Sequence, residues 1–353
     1  MEPTYKIERR HGTMKTRLKD IADKTGFSVN TVSHALRDAP DISEATKATI
    51  RRVAEELDYI PNFQARGIRA GKSAVISVIL PDIINPHFSI VFRGIEQYFR
   101  GLGITPLFMN TAENADDELR AVKISIGQNA DGVIICPTQA NTDAIRYLER
   151  SHVPYVLIGR HFGEDLDTDY VVCDDAGGAY LATRHLIGQG HRNIACVRVN
   201  PLISSDRERF AGYRRALEES EIPFTEKNIL NLPLAQTEYR TEIRAFLARN
   251  KDCTAILSFN DMQAYGIIRE AQQTGLRVPQ DISVIGFDNI CADYTFPTML
   301  SSVSVSKKNM AHIASEILYG YISEQAEFAA GPRKHIVLPT ELYLRDTTIN
   351  RNS

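Results

Sequence analysis

The chain has 353 residues, 43% of them hydrophobic and 24% charged, which are ordinary values for a globular protein of two or three domains. Five cysteines stand singly, at Cys136, Cys173, Cys196, Cys253 and Cys291, with no CxxC or Cys/His cluster, so they are expected to be reduced core residues and not zinc ligands. No apolar run approaches the ~20 residues of a membrane helix, and the opening "MEPTYKIERRHGTMKTR" has no apolar signal region, so a cytoplasmic protein is expected.

The net charge of −3 hides an asymmetry: residues 1–72 carry 14 Lys+Arg against 10 Asp+Glu, a balance of +4, and the remainder carries −7. A basic head on an acidic body suggests that the head meets a polyanion. In chain order, residues 1–16 are expected to be a disordered extension. Leu18, Ile21 and Ala22 then mark a short helix stopped by Gly26. Ser28 is placed to cap a second helix, "VNTVSHAL", in which Asn30, Ser33, His34 and Arg37 share one face and Val32, Ala35 and Leu36 the other. Asp38–Asp41 form a turn, and Ser43 caps a third helix with Ile50, Val53, Ala54 and Leu57 on its apolar side.

After Ser73 the pattern changes. "AVISVIL", "ITPLFM", "DGVIIC", "PYVLIG", "YVVC", "NIACVRV", "TAILSF" and "ISVIGF" are short apolar runs separated by helix-like segments. That alternation predicts doubly wound parallel sheets, too many strands for one sheet and so two sequential α/β lobes, with a ligand cleft at the carboxyl ends of the strands. The expected division is 17–61 for the helical head, 62–72 for a linker and 73–348 for the core. The first lobe would hold 73–174 and 304–334, the second 175–303 and 335–348.

Two helices joined by a tight glycine turn form a helix-turn-helix, whose second helix enters the DNA major groove. The polar face then has a reason: Asn pairs with adenine, His donates to guanine or phosphate, and Ser and Thr hold the backbone. An ordinary amphipathic helix in a three-helix bundle has the same periodicity. The stretch "RLKDIADKTGFSVNTVSHALRDAPDISEATKATIRRVAEELDYIPNFQARGIRAGKS" separates the two readings, because it resembles the DNA-binding head of the lactose/galactose repressor (LacI/GalR) family along its length. Its "TVSH" resembles the purine-repressor branch. "DIINPHF", "LATRHLIGQGHRNIACV", "RERFAGYRRALEE", "FNDMQAYGIIREAQQTGLRVPQDISVIGFDN" and "LPTELYLRDTT" follow the family order, so the resemblance runs from about residue 15 to 348.

The resemblance implies an N-terminal three-helix head and a two-lobed core like that of periplasmic binding proteins. It implies that Val29 and Asn30 set sequence specificity, that His34 reads a third base, and that Lys19, Ser28, Thr31 and Ser33 position the backbone. Residues 62–71 match a hinge helix of the minor groove. Ile68 stands there for the usual wedging leucine, Arg69 is able to reach a phosphate or the groove floor, and Gly67 should weaken the helix by about 1 kcal/mol relative to alanine. A flexible tether is the other reading of this segment.

In the core, Arg209, Asp288 and Asn260 match effector-binding positions suited to sugar hydroxyls, with Asp288 on the wall opposite Arg209; His87 and Phe88 stand where the family often stacks its ligand. Arg160 replaces a variable residue and could meet an acidic or phosphorylated ligand. Each has a plainer reading: Asp288 as a turn cap, Arg209 in an inter-lobe ion pair, Phe88 as core. "GIRAGKS" fails as a phosphate loop, with three residues between its glycines where four are needed, and no catalytic motif or cofactor signature is found. The expected protein is therefore no enzyme but a homodimeric, effector-controlled regulator of transcription, reading a palindromic operator in double-stranded DNA. It is expected to lack a tetramerising tail and to take no cofactor and no metal. The rival is a transport-type solute-binding protein, which shares the two-lobed core; a regulator whose core has lost its ligand is a third possibility.

Overall fold

The computed structural model describes residues 16–60, 72–234, 239–324 and 331–351. It divides into two compact units, the N-terminal head, up to residue 69, and the rest of the chain from residue 70.

The head is built from α1 (Leu18–Thr25), α2 (Val29–Leu36) and α3 (Glu44–Glu56). Gly26 ends α1 at φ +74°, a left-handed conformation that favours glycine. Ser28 caps α2 by accepting from the Thr31 amide at 3.1 Å, and Ser43 caps α3 through Thr46 at 3.3 Å, as their spacing predicts. The apolar faces meet in a small core of fully buried Ile21, Val32, Ala35 and Ile50, with Val53 and Ala54 beside them. Thr16, expected in the extension, is instead tied to the head: its hydroxyl donates to the Leu57 carbonyl at 2.8 Å.

The second unit runs β1 (Val75–Leu80), α4 (Pro86–Arg100), β2 (Thr105–Asn110), α5 (Ala115–Gly127), β3 (Gly132–Ile135), α6 (Asp143–Arg150), β4 (Tyr155–Ile158), β5 (Tyr170–Cys173), α7 (Asp175–Gly188) and β6 (Ile194–Arg198). It continues through α8 (Ser204–Glu218), β7 (Ile229–Asn231), α9 (Arg240–Arg249), β8 (Ala255–Leu257), α10 (Asp261–Gln273), β9 (Ser283–Asp288), β10 (Ser301–Ser304), α11 (Lys307–Glu324), β11 (His335–Leu338) and β12 (Glu341–Tyr343). Two six-stranded sheets result, ordered β11-β5-β4-β3-β1-β2 and β12-β10-β9-β8-β6-β7. Every pairing is parallel except β10 with β12. Helices cover both faces, which is why the central strands β3, β4 and β8 read as unbroken apolar runs and are wholly buried. All five cysteines are free and buried among them.

Among the described residues the chain passes between the lobes three times: at Asp174, at Val305–Ser306 and at Pro339–Thr340. The first and third crossings lie side by side, the Asp174 amide donating to Leu338 at 2.8 Å and the Thr340 hydroxyl to the Asp174 carbonyl at 3.2 Å. The expected second-lobe segment 335–348 is corrected here. His335–Leu338 add to the first sheet, with His335 opposite Tyr170, because the edge of β5 is open to a parallel partner; only the chain beyond Pro339 joins the second.

Candidate functional site

On the head, the structure places the expected DNA-reading residues on and beside α2. Lys19, Ser28, Val29 and Asn30 are exposed, while Thr31, Ser33 and His34 are half-buried on the same helix. Val29, a large apolar side chain, is 45% exposed at the helix start with nothing covering it. The Thr31 hydroxyl sits 2.9 Å from that of Ser28, so both are pre-oriented at the N-terminus, where the helix dipole favours an anion. His34 is held by a residue that sequence reasoning took only for part of a turn: its Nδ1 lies 2.8 Å from Asp41 Oδ2. That contact fixes the ring and leaves Nε2 as the atom able to reach outward; it also holds the Asp41 carboxyl below its ordinary range. Gly67, Ile68 and Arg69, with the expected hinge, lie outside the described residues.

In the second unit, His87, Phe88, Arg160, Arg209, Asn260 and Asp288 all line one cavity of about 380 Å³ between the lobes. Asn85 caps α4 and, with Pro86, starts the helix that carries His87 and Phe88 from the first lobe. Asp288 ends β9, at the carboxyl edge of the second sheet, with φ +105°. Arg209 projects from α8 and is locked on three sides. Its Nε donates to Asp175 at 2.7 Å, another nitrogen donates to the Phe259 carbonyl, and its plane lies 3.7 Å from the Phe287 ring centroid. Asn260 caps α10, its Oδ1 accepting from Gln263 at 2.8 Å. Phe88 is both a cavity wall and partly packed on the core.

Two expectations change. Asp288 does not stand on the wall opposite Arg209: α8 and β9 both belong to the second lobe, as their place in the chain led one to expect, but Arg209 Nη2 is 3.9 Å from Asp288 Oδ1, so the two are neighbours. The inter-lobe partner of Asp288 is His87, whose Nδ1 lies 3.4 Å away without a hydrogen bond. Arg160 is not a vacant anion site. Its fork donates to both oxygens of Glu113, at 2.7 and 2.8 Å, and to the Pro137 carbonyl at 2.9 Å. Glu113, 47 residues away and at φ +58°, carries no sequence signal of this pairing.

The electrostatics leave the cavity with unmatched acceptors. Burial pushes Asp288 up to about 6 against the pull of Arg209 and Lys307, and pushes Asp175 up to about 6 against Arg209. Burial, then the charges of Lys307, Arg209 and Arg160, hold His87 well below the ordinary imidazole range, so it is neutral. Among the described residues no hydrogen bond ends on the Asp288 carboxylate, and His87 Nδ1 is buried without a partner. Polar groups in this condition are completed by a ligand or by water. No cluster of His, Cys, Asp or Glu able to hold a metal occurs among the described residues.

Residues 17–62 match the profile of the bacterial regulatory proteins of the lacI family, and residues 183–348 match a periplasmic binding protein-like domain. Over 344 residues the chain is 31% identical to the HTH-type transcriptional regulator DegA of Bacillus subtilis, covering 96% of this chain and all of that one. It is 30% identical over 338 residues to the HTH-type transcriptional repressor PurR of Aliivibrio fischeri, covering 95% and 98% respectively. The chain belongs to the lacI family.

A LacI-family regulator from Silicibacter pomeroyi has the same fold, with a TM-score of 0.80 over 94% of this chain and 99% of that one, at 24% identity. A family member from Enterococcus faecium, solved with bound ribose, is 26% identical with a TM-score of 0.66, covering 78% of this chain and 99% of that one. As a member of the lacI family the chain is a DNA-binding transcriptional regulator with a ligand-binding core, and the head separates it from transport-type binding proteins, which share only the core. The relatives are regulators, not enzymes. Among the described residues no helix is long and apolar enough to cross a membrane.

Proposed function

We propose that this lacI-family chain is a homodimeric cytoplasmic repressor without enzymatic activity, reading a near-palindromic operator and controlled by a small polyhydroxylated effector, a sugar or sugar derivative. The observation that carries the effector half is the convergence of six residues, from five separate stretches of sequence, on one inter-lobe cavity. Asp288 accepts two neighbouring hydroxyls, Arg209 donates to another, and neutral His87 presents a ring nitrogen from the other lobe. A ligand that touches both His87 and Asp288 binds both lobes at once, so its affinity depends on the angle between them, and that angle is what the heads sense. The ribose held by a family member supports a polyol. Val29, Asn30 and His34 read bases, while Lys19, Ser28, Thr31 and Ser33 hold phosphates; Ile68 and Arg69 serve the minor groove.

Selection of binding sites from a random DNA pool at fixed salt, with and without a mixture of sugars, tests the proposal. A two-fold symmetric consensus whose recovery responds to one sugar is expected. A pool with no consensus in any condition overturns the operator reading, and a consensus indifferent to every sugar overturns the effector reading.

A further inference from the structure

The cavity is larger and less polar than its hydroxyl-binding end requires. From Asn260 it follows one face of α10, where Met262, Tyr265, Gly266 and Arg269 fall at i, i+3, i+4 and i+7 and all line it. Seven residues of helix carry this wall roughly 10 Å from the polar end. Opposite it stand Leu234 before α9, and Tyr239 and Ile243 at the start of α9. Until Arg269 this wall offers only apolar and aromatic surface. Met262 is 38% exposed, and Tyr265 is fixed by stacking on Phe296 at 4.5 Å and by donating its hydroxyl to Thr298. Arg269 at the far rim is engaged by Glu270 at 3.0 Å.

Gly266 is the telling residue. It stands in mid-helix, where glycine costs about 1 kcal/mol relative to alanine, and its φ is not in the left-handed region, so the backbone does not require it. A Cβ there meets nothing nearer than Ile243 and Tyr239, both at 3.9 Å. Close packing therefore does not explain it either; the missing side chain keeps the cavity open between α9 and α10.

We propose that this extension is an aglycone subsite: the effector is a polyhydroxylated ring carrying an apolar, flat substituent, its hydroxyls at His87, Arg209 and Asp288 and its apolar group between Tyr239, Ile243, Met262, Tyr265 and Gly266. The proposal rests on the effector site argued above. Neither phosphate nor carboxylate suits the polar end, since Arg160 and Arg209 are each already paired with a buried carboxylate.

The test is calorimetry on the full-length protein with matched methyl and phenyl glycosides of a panel of hexoses and pentoses. For at least one sugar the phenyl member is expected to bind about tenfold tighter than the methyl member or better. In Gly266→Leu, whose side chain fills the extension and suits a helix, the ratio is expected to fall to about one, with the unliganded melting temperature reporting that the fold is intact. Equal affinities of methyl and phenyl members in the unaltered protein overturn the subsite and leave the effector site standing. If no member of any pair binds, the effector site itself is overturned, and the subsite with it.

Discussion

Glu113→Gln probes the buried ion pair beside the cavity. Arg160 is 4% exposed, and the Glu113 side chain 11%, so removing the carboxylate charge leaves a guanidinium with little water to turn to. Although burial works against its charge, the Glu113 carboxylate holds Arg160 above the ordinary guanidinium range. Gln is chosen over Ala because Glu113 sits at φ +58°, and Gln keeps both the side-chain volume and the backbone preference. Breaking one side of a buried pair costs about 3–5 kcal/mol. At about 2–4 °C per kcal/mol for a domain somewhat smaller than this core, the melting temperature should fall by roughly 6–20 °C. Calorimetry and urea unfolding of the core would measure it, and in the variant inorganic phosphate should recover part of the loss by pairing with Arg160. A loss below about 1 kcal/mol would refute the reasoning, since that is the range of a solvated surface pair.

Asn30→Ala should cost about 1–3 kcal/mol at one base position of the operator and relax selectivity there; a loss shared equally by all operator variants would make Asn30 a phosphate contact. Asp288→Asn should be more stable than the parent at pH 8, with the difference vanishing as the pH falls. The folded carboxyl titrates at about 6 and the unfolded one near 3.8, so between those values the folded state holds the extra proton and stability declines as pH rises. The gain is up to about 3 kcal/mol above pH 6, taking ~1.4 kcal/mol per pH unit, and a stability difference independent of pH would contradict it. Gly212→Ala should destabilise the core by about 1–3 kcal/mol or more, because a Cβ there would lie 2.0 Å from the Ala176 carbonyl where α7 and α8 touch; a neutral result in thermal unfolding would mean the two helices separate freely.

The head was legible because its signals are local. Ser28 and Ser43 mark helix starts, Gly26 a stop, and apolar residues repeat at helical spacing, so three short helices follow from neighbours in sequence. The strands β7, β10, β11 and β12 were not legible. Ser301–Ser304 is a strand of alternating nothing, buried between β9 and β12 with the Ser302 hydroxyl donating to Asp261 at 2.6 Å, so its polar composition reads as loop. β11 joins β5 across more than 160 residues, and no local pattern specifies which sheet edge a short strand will find. In the site, the sequence located residues without their company. It supplied Arg209 and Asp288 but not their 3.9 Å approach, Arg160 but not Glu113, and His34 but not Asp41, because each pairing is a fact of packing between elements.

The three crossings have a mechanical consequence. A single covalent strand between two bodies permits bending in any direction and free torsion. Three strands, two of them joined through Asp174, Leu338 and Thr340, resist sliding and torsion and leave one soft rotation, a hinge at the crossings. The relative position of the lobes is thereby reduced to one coordinate. Whatever free energy a ligand contributes at the cavity acts along that coordinate instead of dissipating into several, so substitutions at the crossings, remote from any ligand atom, set how stiffly the core answers it.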